Sequence, residues 1–270
     1  MKIAKLLFPL VGLALSAPAG AVSWNTASNS IGATTGSIYC STTTCATSTS
    51  GLSGSIMTMT AYSTPNSGSP TPESGNWVDA RIAIYSGGGV GISNFQQTGE
   101  TSSPQHGIDN YLVNDLLVID FGSNGWDVSS FSLGWTCTVS GPTSCSGSSV
   151  NVDAWVGGTG VIDFNTVSFS GSSSSATLPG FTSLTLSGDP GGTGVKTDSS
   201  SAIGRYLVIG GNLANSTSAF KVSGVRAIGP SAPPPTGVPL PGTAWLMVLG
   251  MLALATASRR ARTPESRVAC

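Results

Sequence analysis

Between Val22 and Val238 the apolar residues come in runs of strand length, and none keeps a helical period long enough to bury one face of a helix. That pattern restricts this body of the chain to an all-β fold, since a period of two lines one face of a strand and a period of 3.6 lines a helix. The clearest run is 77–85. Trp77, Asp79, Arg81, Ala83 and Tyr85 fall on one face, and Val78, Ala80, Ile82 and Ile84 on the other. Residues 116–121 are apolar apart from Asp120 and read as a central strand. Further strands are expected at 56–62, 128–137, 150–156, 181–186, 205–209 and 220–228, each bounded by Gly, Ser, Pro or Asn. Ser41–Ser55 reads as a surface loop leading into a strand, and Gly87–Gly91 as a flexible hairpin connection. The expected architecture is a β-sandwich, jelly-roll-like, over residues 22–228.

The two ends follow different rules. Lys2 and Lys5 precede an apolar stretch, Leu6–Leu15, which is too short to span a bilayer. Ala19 and Ala21 then occupy small-residue cleavage positions, so 1–21 reads as a signal peptide with a helical core. At the other end 229–237 is a proline-rich linker containing Pro230 and Pro233-Pro234-Pro235. Val238, Pro239, Leu240 and Pro241 follow, then an apolar helix at 244–257, then Arg259, Arg260 and Arg262. Arginines after an apolar run stay on the cytoplasmic side, which puts everything before Val238 outside the cytoplasm and leaves 263–270 as a cytoplasmic tail.

The segment 238–262 resembles the PEP-CTERM sorting signal, in a variant where Leu240 stands in place of the usual Glu between the two prolines. The body resembles exosortase-dependent surface proteins through Asp115–Gly122 and Phe131–Trp135. The resemblance implies a precursor anchored in the inner membrane of a Gram-negative bacterium that makes exopolysaccharide. It implies an exosortase, a membrane cysteine protease, as the processing partner. It further implies release to the cell surface or beyond, with exopolysaccharide as a candidate partner. The passenger domains of that family carry no general activity.

Charge narrows the partners. Between Val22 and Val238 there are five basic and eleven acidic residues, a net charge near −6. No basic patch is available for nucleic acid, and the balance disfavours a polyanion partner. Cys40, Cys45, Cys137 and Cys145 lie in the exported part, and Cys270 lies beyond the arginines. Four exported cysteines suit disulfides, which persist outside the cytoplasm. Of the three connectivities, the local pairs Cys40–Cys45 and Cys137–Cys145 close the shortest loops. A zinc site is the rival, and only the Cys40–Cys45 spacing fits it.

Catalytic chemistry finds little to use. His106 is the single histidine, and no G-x-S-x-G elbow is present. A loop histidine bonded to a nearby carboxylate or carbonyl is the expectation. The exported aspartates have no diagnostic context for glycoside hydrolysis, and Glu73 and Glu100 are the body's only glutamates. Asp109, Asn110 and Asp115 gather oxygens before a strong strand and are the candidate calcium ligands, with turn chemistry as the simpler role. Trp77 and Trp126, beside turns, are the candidate sugar-stacking residues, whereas Trp135 and Trp155 are expected to pack inside. The reading is a non-enzymatic surface protein without cofactor or nucleic-acid partner, structural or adhesive in biofilm or exopolysaccharide. A carbohydrate-binding module, calcium-stabilised, is the alternative, and a polysaccharide-acting enzyme the third.

Overall fold

The computed structural model describes residues 20–65, 77–94, 106–111, 113–123, 125–141, 144–170, 176–187, 193–211 and 218–230. These belong to one compact unit, Ala19–Pro230. Residues 1–19, nearly all of the expected signal peptide, and 231–270, with most of the linker, the sorting signal, its helix and the tail, lie outside the described residues. So does the Asp-Pro-Gly-Gly stretch at 189–192, whose sequence reads as a turn.

Two antiparallel sheets make up the unit. The first runs β15 (Leu186–Ser187), β16 (Gly194–Asp198), β11 (Trp126–Gly141), β19 (Ser218–Ile228), β8 (Gly89–Ser93), β7 (Arg81–Tyr85) and β2 (Ile31–Thr35). Strands β1 (Ala21–Asn25) and β9 (Ile108–Asp109) also pair with β19, and β12 (Ser144–Gly147) and β17 (Ile203–Gly204) with β11. The second runs β14 (Phe181–Ser183), β13 (Val152–Gly157), β18 (Tyr206–Gly211), β10 (Asp115–Asp120), β5 (Met57–Ser63), β3 (Ile38–Cys40) and β4 (Cys45–Ala46), with β6 (Val78–Asp79) on β5.

The main core lies between the sheets. Trp24, Phe131, Leu133, Phe220, Val222 and Val225 of the first sheet meet Ile38, Met57, Met59, Leu117, Ile119 and Ile209 of the second. This is the all-β, sandwich-like arrangement that the strand periods predict. Strand β10 explains its own unbroken apolarity. Leu117 and Ile119 face the main core, whereas Leu116 and Val118 face a second cluster on the opposite side. That second cluster includes Trp155, Tyr206 and Val208, covered by Phe164, Phe169 and Leu178 from the segment between β13 and β14. The second sheet is thus buried on both faces there, which is what a strand without polar alternation requires.

The structure corrects the run at 77–85. It is not one strand. Residues 78–79 pair with β5 in the second sheet, and 81–85 pair with β8 and β2 in the first. At the crossing, the Ala80 N–H donates to the Ala61 carbonyl at 2.9 Å. Ala80, Ile82 and Ile84 enter the main core as alternation predicts. Val78 is only half-buried and Trp77 is buried instead, because the chain turns as it changes sheets. The strand expected at 181–186 is likewise divided, with 181–183 in the second sheet and 186–187 in the first, and a further crossing occurs at Arg205, between β17 and β18. The two sheets approach so closely there that a Cβ on Gly204 would stand 2.5 Å from the backbone nitrogen of Gly157.

Several strands escaped the apolar periods. Strand β8 incorporates Gly89 and Gly91, read above as hairpin connection, and only the turn between β7 and β8 is loop. A Cβ on Gly91 would strike the His106 carbonyl oxygen. Within the Ser/Thr tract, Cys45–Ala46 is a strand, hydrogen-bonded to β3.

Candidate functional site

Both local disulfides form. Cys40 and Cys45 are direct cross-strand partners on β3 and β4, with Cα atoms 4.1 Å apart. Cys137 on β11 reaches Cys145 on β12 with Cα atoms 5.4 Å apart. Cys137 packs with Val139 and Ala219, and Trp135 and Tyr111 lie against them, so Trp135 is partly committed to the disulfide as expected.

The two sugar-stacking candidates are not on the surface. Trp77 is 3 % exposed and Trp126 7 %. Trp77 sits edge-on to Phe169 in the second cluster. Trp126 stacks with Phe121 and touches Trp24, and its indole N–H donates to the Ser123 hydroxyl at 3.2 Å. Neither ring offers a face to solvent, which corrects the expectation. Proximity to a turn in sequence did not mean exposure, because both rings pack into the aromatic clusters on the sheets.

The candidate calcium residues are buried together. Asp109 is 3 % exposed, Asn110 2 % and Asp115 0 %. One Asp115 oxygen accepts from the Ser63 hydroxyl, and the other accepts the Asp109 N–H at 3.3 Å. An Asp109 oxygen accepts the Tyr111 N–H at 3.0 Å, an Asx-type turn. The Asn110 side-chain oxygen accepts the Ser218 N–H at 3.0 Å. These bonds join β9 and β19 of the first sheet to β10 and β5 of the second. Burial pushes the Asp115 carboxyl up to about 7, against the lowering influence of Ser63 and the Asp109 N–H. Among the described residues no group of three or more His, Cys, Asp and Glu side chains stands close enough to hold a metal ion. What the geometry displays here is turn and strand-tying chemistry.

His106 is placed differently from the expectation. Its Nδ1 is buried without a hydrogen-bond partner, and the ring lies 5.9 Å from that of Tyr85. Tyr85 in turn faces Lys221. The Lys221 ammonium sits 3.8 Å from the centre of the Tyr85 ring and 5.0 Å from that of Trp135. Trp135 and Lys221 are cross-strand partners on β11 and β19. Gly88 and Gly91 lie against Tyr85, and Gly88 also lies against Lys221; a Cβ on Gly91 would stand 3.3 Å from the Tyr85 ring. Partial burial lowers the Lys221 pKa, and no carboxylate offsets it. Such a cation–aromatic row lies on the outer face of the first sheet, opposite Val222 and Leu133 of the core. Sequence reading missed it because its members are scattered along the chain. Only strand register brings them together.

No family profile, curated protein or solved structure matches this chain.

Proposed function

We propose that this chain is an exported surface protein, sorted through its C-terminal segment by an exosortase, with a structural or adhesive role and no catalytic activity. The observation that carries the reading is the order of Val238–Pro241, the apolar run and Arg259, Arg260 and Arg262. Two disulfides in the body are consistent with a folding compartment that is oxidising. In this reading the body is a jelly-roll-like β-sandwich between a signal helix and a membrane helix, and the precursor is anchored in the inner membrane until cleavage.

The test is a reporter enzyme that works only outside the cytoplasm, fused just before Pro239, together with intact-mass analysis of the native extracellular form. Reporter activity and a mature chain ending near Pro239–Gly242 are expected. A cytoplasmic reporter, or a surface form that still carries Cys270, overturns the reading.

A further inference from the structure

The two sheets differ in what their outer faces carry. The outer face of the second sheet is covered by Phe164, Phe169 and Leu178. On the first sheet, registers place Arg81 of β7 and Lys221 and Arg226 of β19 on the face opposite the main core. The remaining two basic residues of the body are elsewhere. Arg205 is paired with Asp120, and Lys196 stands beside Phe131 on the core-facing side. An acidic chain thus concentrates three of its five cations on one face, a segregation that net charge conceals.

Lys221 and Arg226 form no ion pair with a described carboxylate, and the Lys221 ammonium lies over the rings of Tyr85 and Trp135. The Lys221 side chain is half-buried, and its three N–H donors are not met by a described carboxylate. Between the two cations the face is lined with hydroxyls. A hollow of about 260 Å³ is bordered by Ser23, Ser130, Ser132, Val195 and Arg226. The cations are five residues apart on one strand, about 16 Å at a strand's rise per residue.

We propose that the outer face of the first sheet binds an acidic polysaccharide laid along β19, its carboxylates on Lys221 and Arg226 and its sugars against Tyr85, Trp135 and the serine-lined hollow. Charge density selects this occupant. The body's net charge near −6 repels a densely charged polymer such as nucleic acid. Spaced carboxylates meet the two cations, and sugar hydroxyls between them meet the serines. Asp127, on the same face of β11, adds a repulsion that further penalises closely spaced anions. The proposal rests on the exported reading, because such a polymer lies outside the cell.

The test is affinity electrophoresis of the full-length, disulfide-bonded protein in native gels containing hyaluronan, which carries one carboxylate per disaccharide. Carboxyl-reduced hyaluronan and dextran serve as neutral controls. The expected result is retardation by hyaluronan alone, weakened by added salt. Arg226→Gln, at an exposed position, should weaken apparent binding about fivefold, and the Lys221→Gln/Arg226→Gln pair about tenfold or more. Absence of retardation, equal retardation by the carboxyl-reduced polymer, or undiminished binding by both variants overturns the proposal. The measurement is independent of sorting: a cytoplasmic reporter fails the exported reading, whereas an exported protein that hyaluronan does not retard fails this inference alone.

Discussion

Arg205 grips Asp120 with two hydrogen bonds, Nε to Oδ1 at 2.8 Å and Nη2 to Oδ2 at 2.7 Å, at the point where the chain leaves the first sheet for the second. The Arg205 N–H also donates to the Gly157 carbonyl at 3.0 Å, and its own carbonyl accepts the Phe121 N–H at 3.0 Å. Backbone and side chain together tie this corner to the ends of β13 and β10. At the other end of β10, buried Asp115 ties the same strand to β5 and β9. A central strand is anchored at both ends by carboxyl groups in opposite circumstances, one partly solvated against a guanidinium, the other enclosed.

The corner pair makes a modest contribution. Both side chains are about one-fifth exposed, so solvent screens the charge, while the two-pronged geometry raises the interaction above that of an ordinary surface pair. Asp120→Ala and Arg205→Ala, combined in a double-mutant cycle by urea denaturation, should give a coupling energy of about 1 kcal/mol. A coupling near zero would mean that the backbone bonds alone hold the corner.

Asp115 should make stability fall as pH rises. Its folded pKa of about 7 lies above the ordinary carboxylate value, so the folded state holds a proton that the unfolded state has already lost. Below about pH 4 both states are protonated and there is no penalty. Between about pH 4 and pH 7 the penalty grows, reaching roughly 4 kcal/mol at most. Asp115→Asn, unable to ionise, should flatten this part of the stability–pH curve. Parallel curves for the two proteins would show that Asp115 is not the group responsible.

The disulfides close short loops, with sequence separations of 5 and 8. Chain-entropy reasoning gives roughly 2–3 kcal/mol for each. Cys137→Ser/Cys145→Ser and Cys40→Ser/Cys45→Ser should each lower unfolding free energy by about that amount. The second pair should cost more, since both Cys40 and Cys45 belong to the main core whereas Cys145 is exposed. Alkylation of the native protein, followed by peptide mass mapping, should leave all four sulfurs unlabelled.

Strand β10 was legible because residues 116–119 form an unbroken apolar run, and β11 and β19 because their core faces alternate. Local disulfide pairing was legible because short loops bring cysteines together whatever the fold. Strands β2, β8 and β16 were not, since Gly, Thr and Ser dilute their apolar signal, although β8 sends Val90 and Ile92 into the main core. Trp77 and Trp126 misled for a related reason. Sequence locates a residue beside a turn, but only the path of the turn decides whether the ring points to water or to Phe169 and Phe121.

Apolar period and the scarcity of helical pattern were enough to specify an all-β, sandwich-like body with its aliphatic strand faces inside, because burial of those faces follows from local pattern. Where the chain changes sheets, at Ala80 and Arg205, and which cation faces which ring, at Lys221 and Tyr85, were decided by tertiary structure. Those relationships depend on register between strands distant in sequence. In a sheet, a shift of one residue would send every side chain to the opposite face.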